Sequence, residues 1–205
     1  GIGAHASTPD VGNNALTGLL VFLGKLDFAS CPQVDMVRKT ASLFPHGDVN
    51  GKTLGVAMED ELSGNLTLSF NMLSVDAASM DGEFDGRIPV CGNDENVLEV
   101  VRARMTEQGL TLLNKALIPP HHVSADSYFV KTLLAAFELY TGRKGECQAL
   151  GGGTYVHHLE NGVAFGAAMP ETDNKMHGPD EFVIIDQLVM SAEIFALAIV
   201  KLCGK

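Results

Sequence analysis

Residues 65–90 read NLTLSFNMLSVDAASMDGEFDGRIPV, and two stretches of this segment alternate between apolar and polar side chains. The first stretch, residues 65–75, has four apolar residues on one face: Leu66, Leu68, Phe70 and Met72. The second, residues 83–90, has three: Phe84, Ile88 and Val90. A period of two is typical of a half-buried strand, and turn-forming residues separate the two stretches. The segment therefore predicts an antiparallel hairpin with one apolar face.

The sequence on both sides of the hairpin predicts helices and one more strand. Four elements are expected: helices at residues 14–26, 34–44 and 94–108, and a strand at residues 110–118. Asn93 is a suitable N-cap for the third helix, and Gly109 a suitable end. Without the weak second helix, the order is helix, strand, strand, helix, strand. One strand before Gly1 would complete a split βαββαβ, or ferredoxin-like, arrangement.

The pattern changes after Pro119 and Pro120, where we place a domain boundary. Residues 126–140 and 184–202 have the apolar spacing of amphipathic helices, and the last of these has the clearest apolar stripe in the chain. Residues 147–150 and 163–169 read as a short strand and a buried strand. We therefore expect two domains, residues 1–120 of α+β type and residues 121–205 of α/β type.

Composition and charge exclude several classes of partner. The chain has 14 Lys and Arg against 25 Asp and Glu, a formal net charge of −11. Nucleic acid and anionic membrane surfaces both require a basic face, so neither is expected to bind. No apolar run is long enough to span a bilayer, and no signal peptide is visible. Four scattered cysteines make no disulfide framework, so we expect a cytoplasmic protein with reduced thiols.

Two of the seven histidines are candidates for chemistry because of their surroundings. His5 lies among small residues in GIGAHASTP, which lets a ligand approach closely. His177 lies in KMHGPDE, in a loop that follows the predicted buried strand, where α/β proteins build their sites. The run Gly151, Gly152, Gly153 and Thr154 could bind an anion through its backbone N–H groups, but it lacks the lysine of a phosphate-binding loop.

Taken in order, these segments resemble a known family. GAHASTP at residues 3–9 with the following NNA, then GGGTY at 151–155 and MHGPDEF at 176–182, are similar to three motifs of the dinuclear-zinc aminoacylase/carboxypeptidase metallopeptidases. Their order and separation resemble the PepV-like, Xaa-His dipeptidase branch best. The resemblance covers essentially the whole chain. It implies a lid domain followed by the C-terminal part of a zinc-peptidase catalytic domain.

The resemblance also implies roles for individual residues. His177 matches a histidine that binds one of two zinc ions, and His5 matches a lid histidine that stabilises the tetrahedral oxyanion. Arg87 matches a lid arginine that holds the free carboxylate of the substrate, which an arginine can do through two hydrogen bonds. Gly152, Gly153 and Thr154 match the segment that lines this carboxylate end.

This sequence departs from the family pattern in ways that limit the expected activity. The remaining zinc ligands of the family lie upstream of the lid histidine, and the chain begins near that histidine. His46 with Asp48, and the acidic run at residues 59–61, imitate ligand motifs, but both come after the lid signature. We assign them to solvent-facing lid segments. His157 stands where this branch often has arginine, so its role is open.

We therefore expect a C-terminal fragment of a zinc metallodipeptidase that cleaves short peptides with free amino and carboxyl ends. The chain alone is expected to be inactive, and its last helix, short of a packing partner, is expected to favour a homodimer. Two alternatives remain: a non-catalytic lid or interaction module, and a related deacylase of the aminoacylase or succinyl-diaminopimelate desuccinylase type. An upstream H-x-D and Glu-Glu pair in the reading frame would distinguish an enzyme from a module.

Overall fold

The chain forms two compact units in a computed structural model that describes residues 1–166, 169, 171–176 and 178–204. The first unit contains Gly1–Pro120 together with Ala149–Gly152, and the second contains His121–Gln148 and Gly153–Lys205. Among the described residues, both units contain helices, and the first also contains two small sheets. Among the residues that the structure describes, no helix has the length and apolar character needed to cross a bilayer.

The first unit contains three α-helices and four strands. The helices are α1 (Ala15–Gly24), α2 (Pro32–Leu43) and α3 (Glu99–Glu107). The strands are β1 (Glu59–Asp60), β2 (Gly64–Asn65), β3 (Thr67–Val75) and β4 (Met80–Arg87). One π-helical turn, Asp94–Leu98, leads into α3, and one 3-10 turn, Pro9–Val11, precedes α1. The three helices of this part of the sequence were all expected, and the structure confirms them.

The predicted antiparallel hairpin is confirmed as β3 and β4, which pair from Thr67 with Arg87 to Val75 with Met80. The register shifts between Phe70 and Met72. A bulge of this kind reverses which face the following side chains occupy. Leu66, Leu68 and Phe70 are accordingly buried, whereas Met72 is 57% exposed, so its predicted inward position was wrong.

The core of the first unit lies between this hairpin and the helices. Leu20, Leu54, Val56 and Leu66 are its most completely buried large side chains. The ring of Phe44, which follows α2, stacks on Phe70 with 4.7 Å between centroids.

The third helix begins and ends as its sequence predicts. Asn93 accepts hydrogen bonds from the N–H groups of Glu95 and Asn96, and the Asn96 side chain accepts one from the N–H of Asn93. This reciprocal pair satisfies donors at the start of the helix that have no helical partner. Gly109 follows the helix with φ +75°, a backbone conformation that favours glycine.

The predicted strand at residues 110–118 is wrong, because side chains from α3 and the turn before it bind the backbone of this segment. Arg102 donates to the carbonyl oxygens of Leu112 at 3.1 Å and Asn114 at 2.7 Å. The N–H of Leu117 donates to Asp94 at 2.7 Å. These contacts occupy backbone groups that a strand would use for pairing. Among the described residues β3 and β4 pair only with each other, so the four-stranded βαββαβ sheet is not confirmed.

The second unit is built on two helices, α4 (Tyr128–Thr141) and α5 (Ile185–Cys203), which confirm the two predicted helices. They pack through Leu133 and Ala136 of α4 against Ile194 and Ala198 of α5. The Ser127 hydroxyl caps α4 by accepting from the N–H of Val130. Gly142 follows α4 with φ +66°.

The two strands predicted in this half of the sequence are not formed by the residues that the structure describes. Residues 147–150 and 163–166 have no strand assignment, and neither does Met169. Ala167 and Ala168 lie outside the described residues. A strand requires a neighbour for its backbone hydrogen bonds, and no pairing involving these residues is present in the part of the chain described.

Most side chains of the apolar stripe expected along the last helix are exposed to solvent. Its exposed fractions reach 74% at Ile185, 54% at Val189 and 60% at Ile199. The helix is apolar on more than one side, and α4 covers the side that carries Ile194 and Ala198. The clearest stripe in the sequence is therefore not the face that packs on α4.

Asn14 provides a test of how α1 is attached to the hairpin. Its Oδ1 accepts from the N–H groups of Leu16 and Thr17, and its Nδ2 donates to the carbonyl of Phe70 at 2.8 Å. Asn14→Ala removes the helix cap and leaves a partly buried carbonyl without this donor. We expect it to lower the free energy of unfolding by about 1–3 kcal/mol.

Asn13→Ala is the matched control for this measurement, because exposed Asn13 bonds to Ile2 through its backbone. Urea unfolding of both variants measures the difference. Equal stability of the two variants would contradict the assigned role of Asn14.

Candidate functional site

His5 lies on a tight turn that is fixed to the first unit at several points. The N–H of Thr8 donates to the carbonyl of His5 at 2.9 Å, which closes the turn. The hydroxyl of Thr67, at the start of β3, donates to the carbonyl of Ala6 at 2.9 Å. On either side of the turn, Ile2 and Asn13 exchange two backbone hydrogen bonds. The imidazole of His5 is thus exposed on a segment whose backbone is held in place.

The side chain of His5 contacts its own turn through Ser7. The Ser7 hydroxyl lies 2.8 Å from His5 Nδ1, and the N–H of Ser7 donates to the same nitrogen at 3.3 Å. Both contacts involve Nδ1.

Arg87 ends β4 and is paired with an acidic residue of the same strand. Its Nε donates to Asp85 Oδ1 at 2.6 Å and its Nη2 to Asp85 Oδ2 at 2.9 Å. The two side chains are 27% and 35% exposed, so this ion pair is partly shielded from water. Two adjacent nitrogens of the guanidinium are thereby engaged in a bidentate pair with one carboxylate, which fixes the plane of the group.

Gly151 and Gly152 of the glycine loop (residues 151–154) belong to the first unit and lie against Ser7 and Arg87. A methyl group on Gly151 would lie 2.7 Å from Cβ of Ser7, a distance that only glycine at this position avoids. A methyl group on Gly152 would lie 3.6 Å from Nη1 of Arg87. The structure thus brings together three of the predicted site residues or their turns: His5 through Ser7, Arg87, and Gly152.

Three predicted site residues remain, and the structure describes two of them, Gly153 and Thr154. Gly153 and Thr154 belong to the second unit, and His177 lies outside the described residues. Thr154 lines an open, mostly apolar groove of about 470 Å³ in that unit, together with Phe129, Val163, Phe165 and Phe195.

The second unit also holds His157, whose role the sequence leaves open. Its ring centroid is 5.7 Å from that of His121, and His121 Nε2 lies 2.6 Å from the carbonyl oxygen of Gly162.

His46 and Asp48, which imitate a ligand motif, have local structural contacts. His46 Nδ1 lies 2.9 Å from the hydroxyl of Thr17. The Asp48 carboxylate accepts from the N–H groups of Thr53 at 2.7 Å and Lys52 at 3.0 Å. Burial opposes ionisation of Asp48, but these hydrogen bonds outweigh it and lower the pKa of the carboxyl. The carboxylate therefore organises the loop at residues 48–53.

Asp60, in the acidic run, has a similar role in another loop. It accepts from the N–H groups of Ser63 at 2.6 Å and Leu62 at 2.9 Å, and from that of Cys91 at 3.0 Å. The bond from Ser63 is the main reason why the pKa of Asp60 falls far below its ordinary range. Within the described ranges, no group of three or more His, Cys, Asp or Glu could hold a metal ion.

Sequence reasoning missed Ser7 and Asp85, although a signal for each was present. Ser7 lies two residues after His5, inside the same motif. Asp85 lies two residues before Arg87 on a strand, and residues two apart share a face. Both contacts are local, so the pattern around each candidate residue was enough to suggest them.

Proteins named dipeptidases align with nearly the whole chain. The Beta-Ala-Xaa dipeptidase of Lactobacillus delbrueckii subsp. lactis is 34% identical over 98% of this chain and 43% of its own length. The putative dipeptidase YtjP of Bacillus subtilis is 37% identical over the same shares. No protein-family model matches the sequence. The resemblance to the dipeptidases is confirmed, and the chain spans less than half the length of these relatives.

A solved structure, the M20 family metallo-carboxypeptidase Sso-CP2 from Sulfolobus solfataricus, overlaps 96% of this chain and 55% of its own. The sequence identity is 13% and the TM-score 0.49. This overlap is too weak to support an argument about the fold, so the relationship rests on the sequence relatives.

The depressed pKa of Asp60 predicts how stability depends on pH. Because the folded pKa lies below the unfolded one, the stabilisation by the carboxylate is present above about pH 4 and is lost as the pH falls through the folded pKa. Asp60→Asn should therefore lower the melting temperature at pH 7 and have a smaller effect at pH 2. Thermal unfolding of both proteins across this range measures the difference. A gap that stays constant or widens in acid would contradict the assignment.

Proposed function

We propose that this chain supplies the lid and the C-terminal part of the catalytic domain of a zinc metallodipeptidase. Residues 1–120 would form the lid and residues 121–205 the catalytic portion. The relatives named dipeptidases support the reaction class. The observation that carries the proposal is that, within the first unit, Gly151 lies against Ser7 of the His5 turn and Gly152 lies beside Arg87. In this reading the substrate is a short peptide with free amino and carboxyl ends.

His5 is proposed to stabilise the oxyanion of the tetrahedral intermediate. This role needs a hydrogen-bond donor that is already in position when charge develops on the carbonyl oxygen. The fixed backbone of the His5 turn supports it, because the ring projects from a segment tied to β3 through Thr67. The imidazole is also exposed, so a substrate can reach it.

Arg87 is proposed to bind the free carboxylate of the substrate, with Gly152, Gly153 and Thr154 lining that end. Asp85 occupies Nε and Nη2 of the guanidinium, which directs the remaining Nη1 edge towards other acceptors. Gly152 supports this reading, because the absence of a side chain there leaves room beside Nη1.

A pair of zinc ions is the proposed cofactor of the intact protein, with His177 as one ligand. Zinc would activate a water molecule for attack on the peptide bond. The described residues contain no cluster that could hold the metal. The relatives are more than twice as long as this chain. In the proposed intact enzyme, the remaining zinc ligands would come from sequence that corresponds to the part of the relatives that this chain does not match.

Substitutions in the full-length protein that its reading frame encodes test these roles. His5→Ala should lower kcat by roughly 10²–10³-fold, the usual effect of removing one oxyanion donor, with metal content unchanged. His177→Ala should instead deplete one metal. Dipeptide hydrolysis and elemental analysis of the same preparations provide both readings. Loss of metal from His5→Ala would make His5 a ligand and overturn the role given to it.

The 205-residue chain by itself is expected to bind zinc weakly and to hydrolyse no dipeptide, because one histidine cannot hold a dinuclear site. The open apolar stripe of α5 supports the further proposal that the isolated chain forms a homodimer. Metal analysis, a hydrolysis assay and sedimentation at micromolar concentration measure the three properties. Two tightly held zinc ions or measurable turnover would refute the proposed inactivity, and a clean monomer would refute the dimer.

A further inference from the structure

His5 Nδ1 has two contacts with a single neighbouring residue, and one of them constrains the imidazole. The N–H of Ser7 lies 3.3 Å from Nδ1 and can only donate. The Ser7 hydroxyl, 2.8 Å from the same atom, can donate or accept. If Nδ1 carried the proton, two N–H donors, that of Nδ1 and that of the Ser7 backbone, would point at each other and could not form a hydrogen bond. With the proton on Nε2, both groups of Ser7 can donate to the Nδ1 lone pair.

We propose that Ser7 is a positioning residue that holds the neutral imidazole of His5 with its proton on Nε2 and its Nδ1 as an acceptor. The functional part of this inference rests on the proposed role of His5. An oxyanion needs a donor, and this arrangement makes Nε2–H that donor while fixing the direction in which the ring points.

Ser7 is suited to this task because its own position is fixed from three sides. The hydrogen bond from Thr8 to His5 closes the turn on which Ser7 lies. Thr67 ties the preceding residue, Ala6, to β3. Gly151 packs so closely on Cβ of Ser7 that an added methyl group would stand 2.7 Å from it. The glycine loop thus supports Ser7, and Ser7 orients the histidine.

Nitrogen NMR of the 205-residue chain tests the positioning role without any need for activity. Exposed neutral histidines already favour the Nε2–H form, so the decisive quantity is the ¹⁵N resonance of Nδ1. Accepting hydrogen bonds moves the resonance of an unprotonated ring nitrogen to lower frequency. In the wild-type chain, Nδ1 of His5 should resonate below that of exposed His122 and His158, with the proton on Nε2.

Ser7→Ala should move the Nδ1 resonance of His5 towards those of His122 and His158, because the hydroxyl donor is lost. Gly3→Ala is the matched control: it is also two residues from His5, but a methyl group there meets nothing within 4 Å. The control should leave His5 unchanged. A proton on Nδ1 in the wild type, or the same Nδ1 resonance before and after Ser7→Ala, would overturn the proposal.

A double-mutant cycle in the active full-length protein separates this inference from the proposed function. Ser7→Ala should lower kcat by roughly 2- to 10-fold, the value of one hydrogen bond, with KM and metal content nearly unchanged. In the His5→Ala background the same substitution should have no further effect. An equal loss in both backgrounds would overturn the role of Ser7. If His5→Ala itself has no effect, the proposed function fails while the NMR result on Ser7 still stands.

Discussion

The pairing of Thr67 with Arg87 across the hairpin is the constraint on which the candidate site depends. These residues are partners at the end of the β3–β4 ladder. Thr67 binds the backbone of the His5 turn, and Arg87 faces Gly152. One ladder position therefore sets the separation between the proposed oxyanion donor and the proposed carboxylate-binding group. A shift of register by one residue would carry Arg87 to the other face of the hairpin.

Local patterns predicted much of the fold, and the failures come from contacts that such patterns do not encode. The hairpin, the cap at Asn93 and the glycine that follows α3 all rest on residues a few positions apart. The strand predicted at residues 110–118 does not form, because Arg102 of α3 donates hydrogen bonds to two backbone carbonyl oxygens of this segment. The predicted inward position of Met72 was wrong because a bulge interrupts the alternation of β3. An alternating stretch of sequence does not show where a bulge will occur.

The candidate site was accessible from sequence as a set of residues, but its geometry was not. His5, Arg87 and the glycine run were found through motifs that resemble a family. Their proximity depends on the bond between Thr67 and Ala6, which joins residues 61 positions apart, and on the approach of Gly151 to Ser7. Neither contact follows from composition or periodicity. Ser7 and Asp85, in contrast, act on residues two positions away, so a search for local partners would have found them.

The electrostatics of the site bear on the kind of substrate that the proposed function would accept. The chain carries a formal net charge of −11, and Asp85 offsets the charge of Arg87 at short range. Neither the chain as a whole nor this ion pair would attract a simple anion from a distance. A carboxylate would instead bind Arg87 through short-range hydrogen bonds to the guanidinium edge that Asp85 leaves available. A peptide whose only charges are its free amine and free carboxylate has no net charge, so the acidic chain would not repel it during approach. Under the proposed function, Arg87 would therefore contribute to binding only once the carboxylate of the peptide lies within hydrogen-bonding distance of the guanidinium.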